Sequence, residues 1–356
     1  MPSVNLVFVA SLAVTLAGIL AWGFKNLPRE RWQFLAVIPV RKDSLDQWRG
    51  LNLTTYGLIN AGACLLGVIL FFILLGSISV PSQWVFALIF CVLAVAMPAS
   101  RLIAKIVEKK AHTFTVGGAS FSGLLVAPLA VLAINQVSHM MGLGSTAVPM
   151  VPALAALSIA YSFGEGLGRL ACISFGCCYG RPWADVHPLL RFLSFNRGFV
   201  FAGKTKKVAY EGELDGKKVV PIQAVTSVIY VTVGLVGLVA FLASSFELAF
   251  GATVAATQIW RAISELFRSD YRGGGSVSAY QKMAVLAGAL STGLVLIYPP
   301  ESTPIPSPDI IAGMLSVWSP LSLLAFQALG LLVFYVMGRS RVTGSSLSFH
   351  VRCDRI

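Results

Sequence analysis

The sequence predicts an all-α, polytopic integral membrane protein, and three observations predict it. Of 356 residues, 56% are hydrophobic and only 12% are charged, with a mean hydropathy of +0.78. A soluble domain of this length needs a charged coat that this chain lacks. Apolar runs of 18 residues or more recur along the chain, each long enough to cross a bilayer as a helix. The runs do not alternate with polar residues, which excludes an outer-membrane barrel. The six cysteines are scattered and form no disulfide framework.

Nine spans are expected in order, at 4–24, 51–76, 84–104, 115–137, 149–173, 219–246, 249–268, 280–299 and 310–337. The first has no basic region before it, an apolar stretch too long for a signal peptide and no small-residue cleavage site, so it reads as a retained helix. A polar insert, 180–218, separates the fifth and sixth spans. Within it, "AYEGELDGKKVVPI" reads as a short hairpin around Asp215 and Gly216. The tail 338–356 reads as short, polar and mobile. No internal repeat is evident.

The formal net charge of +12 has a clean distribution. Nearly every Lys and Arg falls in loops 25–50, 105–113, 180–218, 269–279, the tail, or the adjoining helix ends. The loops on the other side, 77–83, 138–148, 247–248 and 300–309, contain neither Lys nor Arg. The positive-inside rule places the basic side in the cytoplasm. The same charge also gathers anionic lipid headgroups at a membrane surface. Membrane lipid, not nucleic acid, is the expected partner.

Three arginines lie inside spans or at their ends: Arg101, Arg169 and Arg261. Such a charge costs about 2.5–3.5 kcal/mol at a helix centre on the lenient insertion scale, so it needs a partner. Glu165 stands four residues before Arg169, Glu265 four after Arg261, and Arg268 follows; Arg101 has no acid at i±4. Ion pairs that hold helices together are the plain reading. Yet arginines outnumber the glutamates, and a guanidinium suits bidentate capture of phosphate. The set therefore also reads as a pocket for an anionic headgroup. In "VGGASFSGLL", Gly117, Gly118, Ser120, Ser122 and Gly123 lie along one helix. They permit close approach by another helix or by a headgroup.

"GRLACISFGCCYGRP", from Gly168 to Pro182, combines an arginine with Cys172, Cys177 and Cys178. Adjacent cysteines rarely ligate one ion together, and only His187 is near in sequence, so no metal is expected. A redox pair would more naturally be Cys-x-x-Cys. Small polarizable residues packed beneath a glycine turn are the favoured reading.

Taken together, "GLGRLACISFGCCYGRP", "VPIQ", "RAISELFRSDYRGG" and "SVSAYQ", with "TTYGL" and "GGASFSGLL" upstream, resemble the prolipoprotein diacylglyceryl transferase family over roughly residues 50–300. The resemblance divides the chain into an extra N-terminal helix and basic loop (1–50), a transferase-like membrane core (51–300) and an extra C-terminal helix and polar tail (301–356). It implies a multi-pass enzyme of the bacterial inner membrane that needs no cofactor. Such an enzyme moves the diacylglyceryl group of phosphatidylglycerol to a prolipoprotein cysteine thiol and releases glycerol-1-phosphate. Carried over by motif, Arg169, Arg261, Tyr56 and Glu265 would be catalytic. Arg268, Gly168, Gly180, Gly117, Gly118, Ser122, Arg101 and Gln223 would contact the phospholipid.

The departures bear on the acceptor. The family often has a histidine where Ser122 stands and His-Pro-x-Gln where Val220-Pro221-Ile222-Gln223 stands, and Cys172 replaces a common asparagine. His112, ten residues before Ser122, is about 15 Å away along a helix and cannot substitute. The family signature faces the exterior, whereas the charge map puts this one in the cytoplasm. Either the first span does not cross, or the catalytic face is cytoplasmic and the acceptor, protein or lipid, differs. Rival readings are a non-catalytic phospholipid-binding or transport protein, and a secondary transporter. The latter would want inverted repeats.

Overall fold

The computed structural model describes residues 3–43, 46–109, 115–142, 148–186, 197–271, 277–298 and 304–356. His112, His187 and Gly273–Gly275 lie outside the described residues. The helices are α1 (Ser3–Asn26), α2 (Thr55–Ser77), α3 (Ser82–Val107), α4 (Val116–Met140), α5 (Met150–Phe175), the short α6 (Lys207–Tyr210), α7 (Ile222–Leu242), α8 (Phe246–Ser264), α9 (Ala279–Ile297), α10 (Ile310–Val317) and α11 (Pro320–Gly338). Seven of the described helices are long and apolar enough to cross a membrane: α1 to α5, α7 and α11. The all-α polytopic fold class is thus observed.

Helix α5 is the axis of the bundle. Its first four turns carry Pro, Ala, Ser and Gly, "MVPALAALSIAYSFGEG", and nearly all of them are buried. Small residues replace the missing hydrophobic driving force in lipid by letting backbones approach and by hydrogen-bonding across helices. Ser158 and Thr253 on α8 share a hydrogen bond of 2.6 Å, and Ser227 on α7 donates to the Gly166 carbonyl at 2.6 Å. Helices α2, α7 and α8 all pack on α5. Helix α1 packs on α5 and α7 and also touches α10. Its C-terminal end meets Leu170 of α5 at Gly23. α1 is one continuous helix of 24 residues.

Four expectations are corrected. Two of the nine expected spans, 249–268 and 280–299, correspond to α8 and α9, which are not among the seven helices long and apolar enough to cross. The second span starts at Thr55, not at 51. Residues 34–42 (β1) and 48–54 (β2) form an antiparallel hairpin, joined on the far side of β2 by 339–347 (β5) in the order β1-β2-β5. The tail is therefore structured as far as Leu347. Its β-branched and small residues were too few for a span but suffice to pair with β2. Thr54 donates to the Gly338 carbonyl at 2.9 Å, and buried Asn52 donates to Thr343 at 3.2 Å. The final span is split into α10 and α11 at Trp318-Ser319, where Ser319 caps a new helix opened by Pro320.

The insert also differs from expectation. Asp215 and Gly216 do form a turn, with Gly216 at φ 69°, but residues 207–210 are the helical turn α6. The paired strands are β3 (Phe199–Val200) and β4 (Lys218–Val219). The insert is bolted to the loop after α1 by a buried cation. Fully buried Lys206 donates to the Ser174 carbonyl at 2.6 Å and to the Leu27 carbonyl at 3.3 Å. Burial lowers its pKa from 10.5 to about 8. Gln33 and Thr205 exchange two further bonds of 2.9 Å.

The start of α2 and the end of α11 touch backbone to backbone. A Cβ added at Gly57 would lie 2.1 Å from the Gly338 Cα. Gly57→Ala should therefore force the helices apart and cost about 1–3 kcal/mol, read as a lower melting temperature of the detergent-solubilised protein. Gly62→Ala, with open space at its Cβ, should leave the melting temperature unchanged.

Candidate functional site

The residues of the signature converge because α5 stops abruptly. Gly176 takes the left-handed conformation (φ 73°), and the N–H groups of Gly176 and Cys177 both donate to the Cys172 carbonyl, at 2.8 and 3.0 Å. This is the glycine C-cap that "SFGCC" encodes. Cys178 is also left-handed (φ 54°), and the chain doubles back. Residues 179–182 then run between two other motif segments. Ser269 donates to the Tyr179 carbonyl at 3.1 Å, and Arg181 to that of Phe267 at 2.9 Å. On the other side Val220 donates to the Arg181 carbonyl at 3.0 Å. Gly180 bridges Arg268 and lies so close to Val220 that a Cβ would meet the Val220 carbonyl oxygen at 2.4 Å. Three blocks remote in sequence become one layer at the end of the bundle.

Against this layer opens a small cleft lined by Arg169, Cys178, Ile222, Gln223, Thr226, Ser264 and Arg268. Its polar groups are incompletely satisfied. Arg169 gives Nη2 to Glu165, as the i,i+4 spacing predicts, but its buried Nε has no partner among the described residues. Gln223 donates to the Cys177 carbonyl at 2.9 Å while its buried Oε1 has no partner. Such orphaned groups in a buried site cost stability, and a ligand that bonds them recovers it.

Arg261 stands on α8, 6% exposed, with Nη1 3.4 Å from the Tyr161 hydroxyl. Glu165 and Arg169 lie close enough to interact with it electrostatically. The ion pair of Glu165 is with Arg169, and its field also reaches Arg261. The expected pairing of Arg261 with Glu265 does not form. Helix α8 ends at Ser264 and continues as a 3₁₀ turn, Glu265–Phe267, so Glu265 leaves the stripe that carries Arg261. Glu265 lies instead 4.0 Å from Arg268, whose fork is committed to Asp270 by bonds of 2.8 and 2.6 Å.

The remaining expected residues divide. Tyr56 is brought in: it interacts electrostatically with Cys172, Cys177, Cys178 and Glu165, and its ring packs on Phe175 at 5.7 Å. Gly168 faces α2, with Asn60 nearest. Gly117 is brought in as the floor beneath Arg261. A Cβ there would meet Nη2 at 2.4 Å and the Tyr280 ring at 2.6 Å. Gly118 faces Ile103 of α3 instead. Ser122, one turn on, is buried and donates to the Gly118 carbonyl at 2.7 Å. Arg101 is exposed on α3, away from the cleft.

Sequence reasoning missed Tyr161, Tyr230, Glu108 and Asp270. Tyr161 is within hydrogen-bond reach of Ser120 and Tyr230, and Tyr280 donates to Glu108 at 2.7 Å beside Gly117. The signal for Tyr161 was present: 161, 165 and 169 are spaced by four along one face of α5. The thiols of Cys172, Cys177 and Cys178 lie within 4.8 Å of one another. Hydrogen bonds from the first two hold the Cys178 thiol well below its ordinary pKa, and Arg268 and Arg169 add to the effect.

The fold is a helical membrane bundle with a cleft at one end lined by buried, ion-paired arginines. A model of the prolipoprotein diacylglyceryl transferase family matches residues 45–298, and the chain belongs to that family, whose members are transferases of lipoprotein biosynthesis. Comparison with curated proteins gives no match.

The Gly117 contact separates packing from chemistry. Gly117→Ala presses on the movable tip of Arg261 and on Tyr280, so it should lower turnover of labelled phosphatidylglycerol on the order of 100-fold, as a displacement of about 1 Å can. Gly118→Ala, against Ile103, should keep most of the activity at equal expression.

Proposed function

We propose that the chain transfers the diacylglyceryl group of phosphatidylglycerol, or of a related anionic phospholipid, to a thiol, typically a prolipoprotein cysteine, releasing glycerol-1-phosphate. The observation that supports this reading is the unpartnered buried guanidinium edge of Arg169 in the cleft. Displacement at the glycerol carbon makes a phosphate monoester the leaving group, and prearranged donors stabilise the charge that grows on it. Arg169 and Arg261 supply this role. Glu165 and Tyr161 aim the two side chains, and Tyr56 faces the cysteine side of the cleft. Arg268, tied to Asp270, and Gly180 hold the layer in shape and form the wall of the headgroup site. Gln223 offers its free Oε1 to a headgroup hydroxyl.

The basic face carries the cleft, the insert and the β1-β2-β5 sheet, and by the positive-inside rule it faces the cytoplasm. A bacterial inner-membrane location follows from the family. On that face the acceptor would be a thiol other than that of a secreted prolipoprotein. An accessibility label at an exposed insert position, Lys217→Cys in a chain lacking its other exposed cysteine, Cys353, reports the side. Lys206 is unsuitable because it is buried. Labelling from the cytoplasm supports a variant acceptor, and labelling from outside restores the ordinary one.

Arg169→Ala and Arg261→Ala should each reduce glycerol phosphate release from labelled phosphatidylglycerol by at least ~100-fold, the scale of losing a preorganised oxyanion donor, with expression and bound lipid-independent stability retained. Normal release in both variants would refute the transferase reading.

A further inference from the structure

The three cysteines of the signature have no role in the transfer as described, yet they are gathered. Cys172 ends the last turn of α5, and the two left-handed residues, Gly176 and Cys178, curl the following loop over it. The curl brings the neighbouring side chains of Cys177 and Cys178 to one side, which an extended chain would not allow. All three sulfurs fall within 4.8 Å of one another. All three are free thiols and none is fully exposed.

We propose that Cys172, Cys177 and Cys178 hold a thiophilic divalent cation, zinc by its preference for tetrahedral thiolate ligands, whose open fourth position binds and activates the acceptor thiol. The geometry is close to that of a bound ion. Zn–S bonds of about 2.3 Å place tetrahedral sulfurs about 3.8 Å apart, so each sulfur needs to move by less than about 1 Å. Three protein ligands leave one coordination position free, the pattern of a catalytic rather than a structural zinc. Among the described residues the cluster has no fourth ligand. Cys178 lines the same cleft as Arg169 and Arg268. Three thiolates and one divalent cation sum to −1, and the two guanidiniums stand beside that charge.

The site answers a need that the transfer reaction leaves open. A thiol must be deprotonated before it can attack carbon, and metal coordination does this outright. This inference rests on the proposed transferase function and names its nucleophile activator. In the step, the acceptor thiol binds the cation and gives its proton to water. The bound sulfur attacks the glycerol carbon that bears the phosphoester. A C–S bond forms, the C–O bond breaks, and the electron pair leaves on the phosphate of glycerol phosphate beside Arg169. No atom changes oxidation state through an external oxidant or reductant. The neutral thioether product is a weak ligand and departs.

The test uses the full-length protein purified in detergent without chelator. Elemental analysis should find about one zinc per chain in the wild type and in Cys64→Ser, whose cysteine lies on α2 outside the cluster. The ion should be absent from the Cys172→Ser/Cys177→Ser/Cys178→Ser variant and reduced in Cys178→Ser. Cobalt added to the chelator-stripped wild type should give thiolate charge-transfer absorption that the triple variant lacks. Stripped protein should lose glycerol phosphate release and regain it with zinc. Zinc held at the level of the triple variant, a disulfide among the three cysteines in freshly reduced and purified protein, or full release by stripped protein would each overturn the proposal. Zinc and cobalt bound as expected with no release from any phospholipid would leave the metal site standing and remove the transferase reading instead.

Discussion

The burial of Arg169 and Arg261 near a single glutamate of α5, Glu165, is the constraint on which the rest depends. Burying guanidinium groups within a membrane bundle is costly unless each is bonded. One carboxylate in the last turns of α5 cannot neutralise two of them. Helix α5 is therefore packed on several sides by α2, α7 and α8. The small residues that allow this also hold Tyr161 where it meets Arg261. What remains is an unpaired N–H edge on a buried guanidinium, a donor prepared in advance of its ligand.

The second constraint is backbone stitching. The segment 179–182 bonds to 267–269 on one side and to 220 on the other, so the ends of α5, α7 and α8 move as one layer. Arg268 illustrates the division of labour. Its motif suggests a ligand for phosphate, but both arms of its fork bond Asp270. It shapes the cleft, whereas Arg169 and Arg261 retain capacity for a ligand. The insert is docked on the end of α5 through buried Lys206 and is not a detached arm.

Much of this was legible in the sequence. Unbroken apolar runs gave the bundle, and the i,i+4 spacing gave the Glu165–Arg169 pair, because helical geometry is local. Gly176 was readable as a helix stop for the same reason. What was not legible depends on tertiary contact. Arg261 turns to Tyr161 and away from Glu265 because α8 tightens into a 3₁₀ turn, which no spacing rule foretells. Gly117 and Gly118 are adjacent glycines in one motif, yet only the first faces Arg261. The β1-β2-β5 sheet joins residues about 290 apart in the chain, a pairing that no local pattern reveals. The cysteines were judged by spacing along the chain, and two left-handed residues altered that geometry.

The central claim is that the cleft is an anion site built on the unpaired guanidinium edge of Arg169. Its most direct test is equilibrium binding of labelled phosphatidylglycerol, against labelled phosphatidylcholine, to the purified protein and to Arg169→Gln, a substitution that removes charge while keeping bulk and hydrogen bonding. The account predicts preferential retention of the anionic lipid by the wild type, weakening with salt, and loss of that preference in the variant. Equal retention of both lipids by the wild type, or an undiminished preference in Arg169→Gln, would contradict it.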